Sequence, residues 1–147
     1  MAILTTGIGS SENEYLEGTE GSLLLQTFEV ANSFTKISFS YNVVSEEPSE
    51  FVGSKYDDQV TIELLNTAGE VICQLAHESV NSSEWYAVKG INFEGGDETT
   101  YCTQWKEVVF EELNEYVGEK ITLRIRIWDE GDSIYDTAVL VDDIKVQ

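Results

Sequence analysis

The chain has 147 residues, of which 41% are hydrophobic, so it can bury the core of one domain, which we take as residues 1–147. Its 28 Asp and Glu against 8 Lys and Arg give a formal net charge of −20, which argues against nucleic acid and anionic membranes as partners because both require a basic surface. No apolar run approaches the roughly 20 residues of a membrane helix, and residues 1–9 lack the basic start and apolar stretch of a secretory signal.

Alternation of apolar and polar residues, which is typical of strands with one face on a core, dominates the chain. It is clearest at residues 37–43, 60–64 and 121–127, where every second residue is apolar. Asn, Gly, Asp and Ser form turn signals between these segments and the other strand-like stretches. In chain order, the predicted strands are residues 23–30, 37–44, 60–64, 71–76, 105–110, 121–127 and 137–146.

Helical periodicity is nearly absent from the sequence. Only residues 111–117 look briefly helical, and we expect a turn there. Seven to nine antiparallel strands without intervening helices predict an all-β fold, namely an antiparallel two-sheet β-sandwich of the jelly-roll type. Residues 45–58 and 79–101 are expected to be long loops, which in compact domains often carry function.

The two cysteines, Cys73 and Cys102, sit singly on predicted strands without C-x-x-C spacing, so a zinc site is not expected. The sequence is compatible with two states of these cysteines, namely two buried free thiols or one disulfide between neighbouring strands. Asn81 begins an Asn-Ser-Ser sequon, a weak signal for glycosylation.

Acidic residues gather in two loops and on the last predicted strand. Asp57 and Asp58 end the first long loop, whereas Asp129, Asp132 and Asp136 precede the last strand. Calcium accepts six to eight oxygens in flexible geometry, so two acidic loops at one end of a sandwich can share an ion, although their spacing is not that of an EF-hand. The alternatives are solvated turns, and a high-salt habitat as the reason for the overall charge.

Asp142 and Asp143 lie within the last predicted strand, where acids are expensive to bury unless a partner compensates them. Either a cation such as calcium compensates them, or one of them pairs with Arg124 or Arg126 while the other is solvated at the end of the strand. Arg124 and Arg126 share one strand face, and they either clamp a ligand carboxylate or pair with surface acids.

Aromatic residues are dense in the second long loop, residues 79–101, and a tyrosine precedes both Asp57 and Asp136. They can stack on sugar rings while acids bond the hydroxyls, or they can simply fix long loops to the core. The predicted ligand-binding residues are Tyr56, Trp85, Tyr86, Asp97 and Tyr135.

Four segments, GSLLLQTFEV (21–30), EFVGSKYDDQV (50–60), TQWKEVVF (103–110) and GDSIYDTAVLVDDI (131–144), together resemble bacterial extracellular β-sandwich domains. Such domains occur in large calcium-dependent adhesins, including their peptide-binding and sugar-binding modules. The closing VDDI is also similar to the last strand of MAM-type and carbohydrate-binding jelly rolls. The resemblance implies a calcium-bound jelly roll that binds a ligand at its loops. It further implies that Asp143 or Asp142 joins an N-terminal acid, Glu17 or Glu20, around a structural calcium.

The sequence therefore predicts a calcium-dependent adhesion module of an extracellular or cell-surface protein of a bacterium. It would bind a glycan or peptide through its end loops, without nucleic acid or membrane insertion, as part of a longer multidomain chain. A calcium-rigidified spacer with no ligand of its own is the alternative. A small hydrolase is disfavoured because His77 is the single histidine and no triad is evident, so we expect no enzyme activity.

Overall fold

The computed structural model describes residues 1–7, 21–93, 99–131 and 135–147. The predicted site residues Glu17, Glu20, Asp97 and Asp132 lie outside this part of the chain. None of the described residues form a helix that is long and apolar enough to cross a bilayer. The described strands are β1 (Ala2–Thr5), β2 (Gly21–Glu29), β3 (Ile37–Ser45), β4 (Gln59–Leu65), β5 (Val71–Ser79), β6 (Tyr86–Val88), β7 (Thr100–Cys102), β8 (Lys106–Phe110), β9 (Lys120–Trp128) and β10 (Thr137–Val146).

These strands form two antiparallel sheets. Sheet A has the order β1-β10-β3-β7-β6, with β8 also paired to β3, and sheet B has the order β2-β9-β4-β5. The chain crosses between the sheets at most of its connections, and β1 lies beside the last strand, β10. This is the connectivity of a jelly roll. The prediction of an all-β, antiparallel two-sheet sandwich of the jelly-roll type is confirmed.

The inner faces of the two sheets form the core, as the alternation predicts. On β9, Ile121, Leu123, Ile125 and Ile127 are at most 3% exposed, while the residues between them point to the outer face. A short 3-10 helix, Leu113–Tyr116, adds the fully buried Leu113. Sheet A contributes Ile37, Phe39, Tyr41, Val43, Val139 and Val141. The resulting core is a rigid base from which the end loops project.

The structure differs from the prediction in its shortest elements. The expected loop at residues 79–101 contains β6 and most of β7, and β1 was not predicted. These strands have three or four residues, which is too short for alternation to be visible. The turn expected at residues 111–117 contains the 3-10 helix, and Trp105 precedes β8 with 51% of its surface exposed.

The two cysteines are free and only partly buried. Cys73 lies on β5 of sheet B, whereas Cys102 lies on β7 of sheet A. Of the two alternatives that the sequence left open, the structure therefore has free thiols, and the strands that carry them are not paired with each other.

Candidate functional site

The first long loop and the segment after β9 lie against each other at one end of the sandwich. The backbone N–H of Asp57 donates to the Glu130 carbonyl at 3.2 Å, and the Glu130 N–H donates to Asp58 Oδ1 at 3.2 Å. Gly131 adopts a φ of +106°, and a Cβ there would lie 2.9 Å from both the Lys55 carbonyl oxygen and Tyr56 Cδ1. A glycine therefore allows this close contact between the two acidic loops.

The turn after β5 joins the same end. Asn81 donates its backbone N–H to Asp57 Oδ1 at 2.8 Å and its side-chain amide to the Ser54 carbonyl at 2.9 Å. Its Oδ1 accepts the Gly53 N–H at 2.5 Å, and the Val80 N–H donates to the Asp58 carbonyl. The sequon asparagine therefore has a structural role, because it ties two loops together.

Five carboxylate side chains of this end are buried. Strand alternation explains two of them, since Asp58 precedes the inward Val60 by two residues and Asp129 follows the inward Ile127 by two. Both acidic side chains therefore point inward, on the same face as the apolar residues of the adjacent strand and just beyond them. The buried acids, with their exposed fractions, are Glu46 (3%), Glu47 (1%), Asp58 (3%), Asp129 (1%) and Asp136 (3%).

A chain of neutral donors leads to Asp58. The Glu47 N–H donates to Ser45 Oγ at 3.1 Å, and Ser45 Oγ lies 2.8 Å from Thr137 Oγ1. Thr137 Oγ1 in turn donates to Asp58 Oδ2 at 2.6 Å. Because each hydroxyl has one proton, the direction of this chain is set, and every dipole points its positive end toward Asp58.

Asp136 is connected to Glu46 and to β1. The Glu46 N–H donates to the Asp136 carbonyl at 3.2 Å, and the Asp136 N–H lies 3.5 Å from Glu46 Oε2. Thr6 Oγ1 donates to Asp136 Oδ1 at 3.4 Å. Acids from β3, β4, β9 and β10 are thus linked at one end of the molecule, which we call the acidic end, defined by the five buried carboxylates.

Asp142 and Asp143 are not brought to the acidic end. Asp143 follows Asp136 by seven residues, which is roughly 23 Å along a strand. It has a φ of +57°, its side chain is 63% exposed, and Lys145 donates to its Oδ2 at 2.7 Å. Asp142 lies 3.1 Å from the Met1 amino group. A register shift after Asp142 disrupts the strict alternation that the sequence suggested.

The positions of the acidic side chains limit how a metal ion could be bound. Within residues 1–7, 21–93, 99–131 and 135–147, no group of three or more Asp, Glu, His or Cys side chains is arranged to hold an ion. Side chains of the described acids alone therefore do not form a coordination sphere.

Two of the predicted aromatic ligand residues cluster beside the acidic end. Phe51 packs edge-on against Tyr56, with ring centroids 5.4 Å apart, and lies 5.3 Å from the Tyr135 ring. Lys55 Nζ lies 5.0 Å from the centroid of Tyr56. Both tyrosines are half-buried, so part of each ring surface faces solvent.

The other two predicted aromatic residues lie on different elements. Trp85 donates its indole N–H to the Val80 carbonyl at 2.9 Å and packs against the core. Tyr86 is on β6 at the edge of sheet A, opposite Cys102, and is 40% exposed. Trp85 therefore fixes its loop to the core, which is the alternative the sequence left open.

Sequence reasoning missed Glu46, Glu47 and the hydroxyls of Ser45 and Thr137. The two glutamates directly follow β3, just as Asp129 directly follows β9. Their position immediately beyond an apolar strand is the signal in the sequence that identifies the two glutamates.

A buried acid outside the acidic end, Glu78 on β5, connects the two sheets along one side. Its Oε1 accepts the Tyr41 hydroxyl at 2.6 Å and Lys106 Nζ at 2.5 Å, and Ser83 donates to Oε2. Burial alone would raise the pKa of Glu78, but the hydrogen bonds from Lys106, Ser83 and Tyr41 outweigh burial and lower that pKa. Burial, followed by the bond to Glu78, raises the pKa of Tyr41.

Comparison with known proteins adds little to this description. No protein-family model matches the chain, and no curated protein sequence matches it significantly. One similar solved structure is a carbohydrate-binding module studied for its specific mannan recognition, at 14% sequence identity and a TM-score of 0.43. The alignment covers 87% of this chain but only 64% of that one, which is less than two thirds. A likeness this weak carries no argument about function.

Proposed function

We propose that the protein is a calcium-dependent ligand-binding module of an extracellular bacterial surface protein, with an adhesive rather than a catalytic role. Its ligand would be a glycan or a peptide, held at the acidic end. The observation that carries the proposal is the burial of five carboxylates at that end, each at most 3% exposed.

Buried negative charge is the physical basis of the calcium proposal. Desolvation and mutual repulsion both disfavour several ionised carboxylates in one buried region. The hydroxyls of Thr6 and Thr137 and the backbone N–H of Glu130 stabilise individual oxygens without adding positive charge. A hard divalent cation that prefers oxygen ligands would supply that charge at neutral pH.

The coordination sphere would need oxygens beyond the side chains of the described acids. Calcium commonly takes backbone carbonyls and water together with carboxylates. In this proposal, Asp58, Asp129 and Asp136 supply part of the sphere, and backbone carbonyls, Asp57 and the predicted ligands Asp132 and Glu17 are the remaining candidates.

The ligand would contact the aromatic cluster beside the ion. Tyr56 and Tyr135 offer partly exposed ring surfaces within the same pair of loops as Asp58 and Asp136. A sugar ring can stack on such a surface while its hydroxyls complete the calcium sphere. Asp97 stays a candidate for the same role.

A structural spacer is the second candidate function. It is favoured by Trp85, whose indole is engaged by Val80 and by the core rather than presented to a ligand. In that case calcium would rigidify the end loops without creating a binding site.

Retention of the purified protein on arrays of glycans and peptides tests the two candidates. The array is probed in millimolar calcium and again with chelator. A binding module gives spots that disappear with chelator and are weakened by Tyr56→Ala. If no spot exceeds background in calcium while calcium still raises the melting temperature, the spacer is the correct function.

A further inference from the structure

The outer face of sheet B carries positive charge in a strongly acidic protein. Arg124 and Arg126 project from β9 on the same side, and both contact Glu63 of the neighbouring β4. Glu63 Oε2 accepts from Arg124 Nε at 2.9 Å and from its Nη2 at 2.6 Å, whereas Arg126 Nη2 is 3.8 Å away. Among the described residues, Glu63 is the one carboxylate within 4 Å of either guanidinium, so it neutralises one of the two positive charges and leaves the other. It belongs mainly to Arg126, whose side chain is 39% exposed.

A cleft of about 430 Å³ opens beside Arg126, at the boundary between the outer face of sheet B and the acidic end. A Cβ on Gly21 would lie 2.9 Å from the Trp128 Cβ, so a larger residue would have to displace β2 from β9. Leu23 is 58% exposed and gives the cleft an apolar side. The lining residues are Gly21, Ser22, Leu23, Arg126, Ile127 and Trp128.

The guanidinium of Arg126 is held in place. Its Cζ lies 5.1 Å from the centroid of the Trp128 ring, and its Nε donates to Thr61 Oγ1 at 3.4 Å. The Trp128 indole N–H donates to Glu130 Oε2 at 3.2 Å, which fixes the ring from its edge. A guanidinium stacked on an aromatic ring loses little freedom when it binds a carboxylate, so its charge is prepared for an anionic ligand.

Polar groups on this face come from side chains. The backbone of β9 is paired on both sides, to β2 and to β4. The unpaired N–H groups of β2, an edge strand of sheet B, point away from β9 in the plane of the sheet rather than onto its outer face. Gln59 and Thr61 lie in register beside Trp128 and Arg126, and His77 Nε2 is 2.7 Å from Gln59 Oε1. The C-terminal carboxylate of a peptide is usually captured by free backbone N–H groups, whereas sugar hydroxyls are satisfied by side chains on an open face.

We infer that this cleft binds a carboxylate-bearing saccharide residue, a uronate. The Arg126 guanidinium receives the carboxylate, and Trp128 and Leu23 form the apolar walls along the sugar ring. Charge complementarity selects this ligand, because a surplus cation on a chain of net charge −20 is a local exception. The site goes beyond the proposed function, since it lies on the sheet face and uses no calcium.

Titration calorimetry with trigalacturonate in chelator at neutral pH, in about 0.15 M salt to screen the repulsion by the net charge of the protein, tests this inference. The matched probe is the same trisaccharide with methyl-esterified carboxyl groups. We expect the acid to bind and the ester to bind at least tenfold more weakly, because only the acid can form a charge-assisted hydrogen bond with Arg126. Arg126→Gln should lower the affinity for the acid by tenfold or more, and Arg126→Lys by less.

Lys120→Gln is the control, because it removes the same charge from the first residue of the same strand, where Lys120 is exposed. The affinity of the Lys120→Gln protein for the acid should equal that of the unmodified protein. Melting curves check that both variants are folded. Equal binding of acid and ester, or equal affinities of Arg126→Gln and Lys120→Gln, overturns the inference. Tighter binding of a peptide with a free C-terminal carboxylate than of the uronate assigns the cleft to peptides instead. All of these outcomes are read without calcium, so they are independent of the proposed calcium site.

Discussion

Glu78→Gln should destabilise the protein at neutral pH by about 2 kcal/mol. Glu78 is 5% exposed and accepts hydrogen bonds from Tyr41, Lys106 and Ser83. Glutamine keeps the shape and one acceptor but loses the charge, and a hydrogen bond to a charged group contributes about 1.5 to 3 kcal/mol. Lys106 is 42% exposed and can be hydrated in the variant, so losing its hydrogen bond should cost less free energy of unfolding than losing a buried one. For a domain of this size, the melting temperature should fall by roughly 4 to 8 °C.

The pH dependence of this loss follows from the lowered pKa of Glu78. A group with a lower pKa in the folded protein stabilises it fully above the unfolded value, about 4.3 for Glu, and loses that effect as pH falls through the folded pKa. The stability gap between the unmodified protein and Glu78→Gln should therefore be constant from pH 7 to about 5 and shrink below about pH 4.

Urea unfolding followed by tryptophan fluorescence at pH 7, 5 and 3.5, with calcium and ionic strength fixed, measures this gap. Glu107→Gln is the control, because Glu107 is exposed on β8 next to Lys106 and should change stability little. A gap that is as large at pH 3.5 as at pH 7 would refute the role assigned to the ionised carboxylate. So would a Glu78→Gln protein as stable as the Glu107→Gln control.

Two further substitutions test the acidic end by urea unfolding. Thr137→Val should cost about 1 to 3 kcal/mol, because it removes the buried donor to Asp58. Thr122→Val, whose hydroxyl contacts Thr27 on an exposed face, should cost little, and equal costs would contradict the donor chain. Gly131→Ala should destabilise more than Gly118→Ala, because both have positive φ but only at Gly131 would the new Cβ meet Lys55 and Tyr56. The reverse order would refute the close contact of the acidic loops.

The sequence predicted the long strands well because their alternation is produced by the core itself. Strand β9 shows this, since its four isoleucine and leucine residues predict both the strand and its buried face. Strands β6 and β7 were not predicted from the sequence. Each has only three residues, and its extended conformation depends on pairing, of β7 with β3 and of β6 with β7, rather than on its own composition.

The candidate site was only partly predictable. Asp58 and Asp129 could be identified as loop acids, but their burial follows from the strand faces that they extend, which becomes visible only with the strand ends known. Asp143, for which the resemblance implies an ion, lies at the surface beside Lys145 after a register shift, and Glu17 and Glu20, its expected partners, lie outside the described residues. Contacts such as Gly131 against Tyr56 join residues 75 positions apart, so no local pattern encodes them.

Calcium binding at the acidic end is measured by comparing thermal melts of the protein in chelator and in 10 mM calcium. With a dissociation constant of about 10⁻⁴ to 10⁻³ M, the ion should stabilise the fold by roughly 1.4 to 2.7 kcal/mol, which raises the melting temperature by about 3 to 10 °C. Asp136→Asn should abolish most of this rise, and Asp143→Asn should leave it intact. Equal melting temperatures in chelator and in calcium would show that the acidic end does not bind calcium, and an equal loss of the rise in both variants would show that the ion does not lie there.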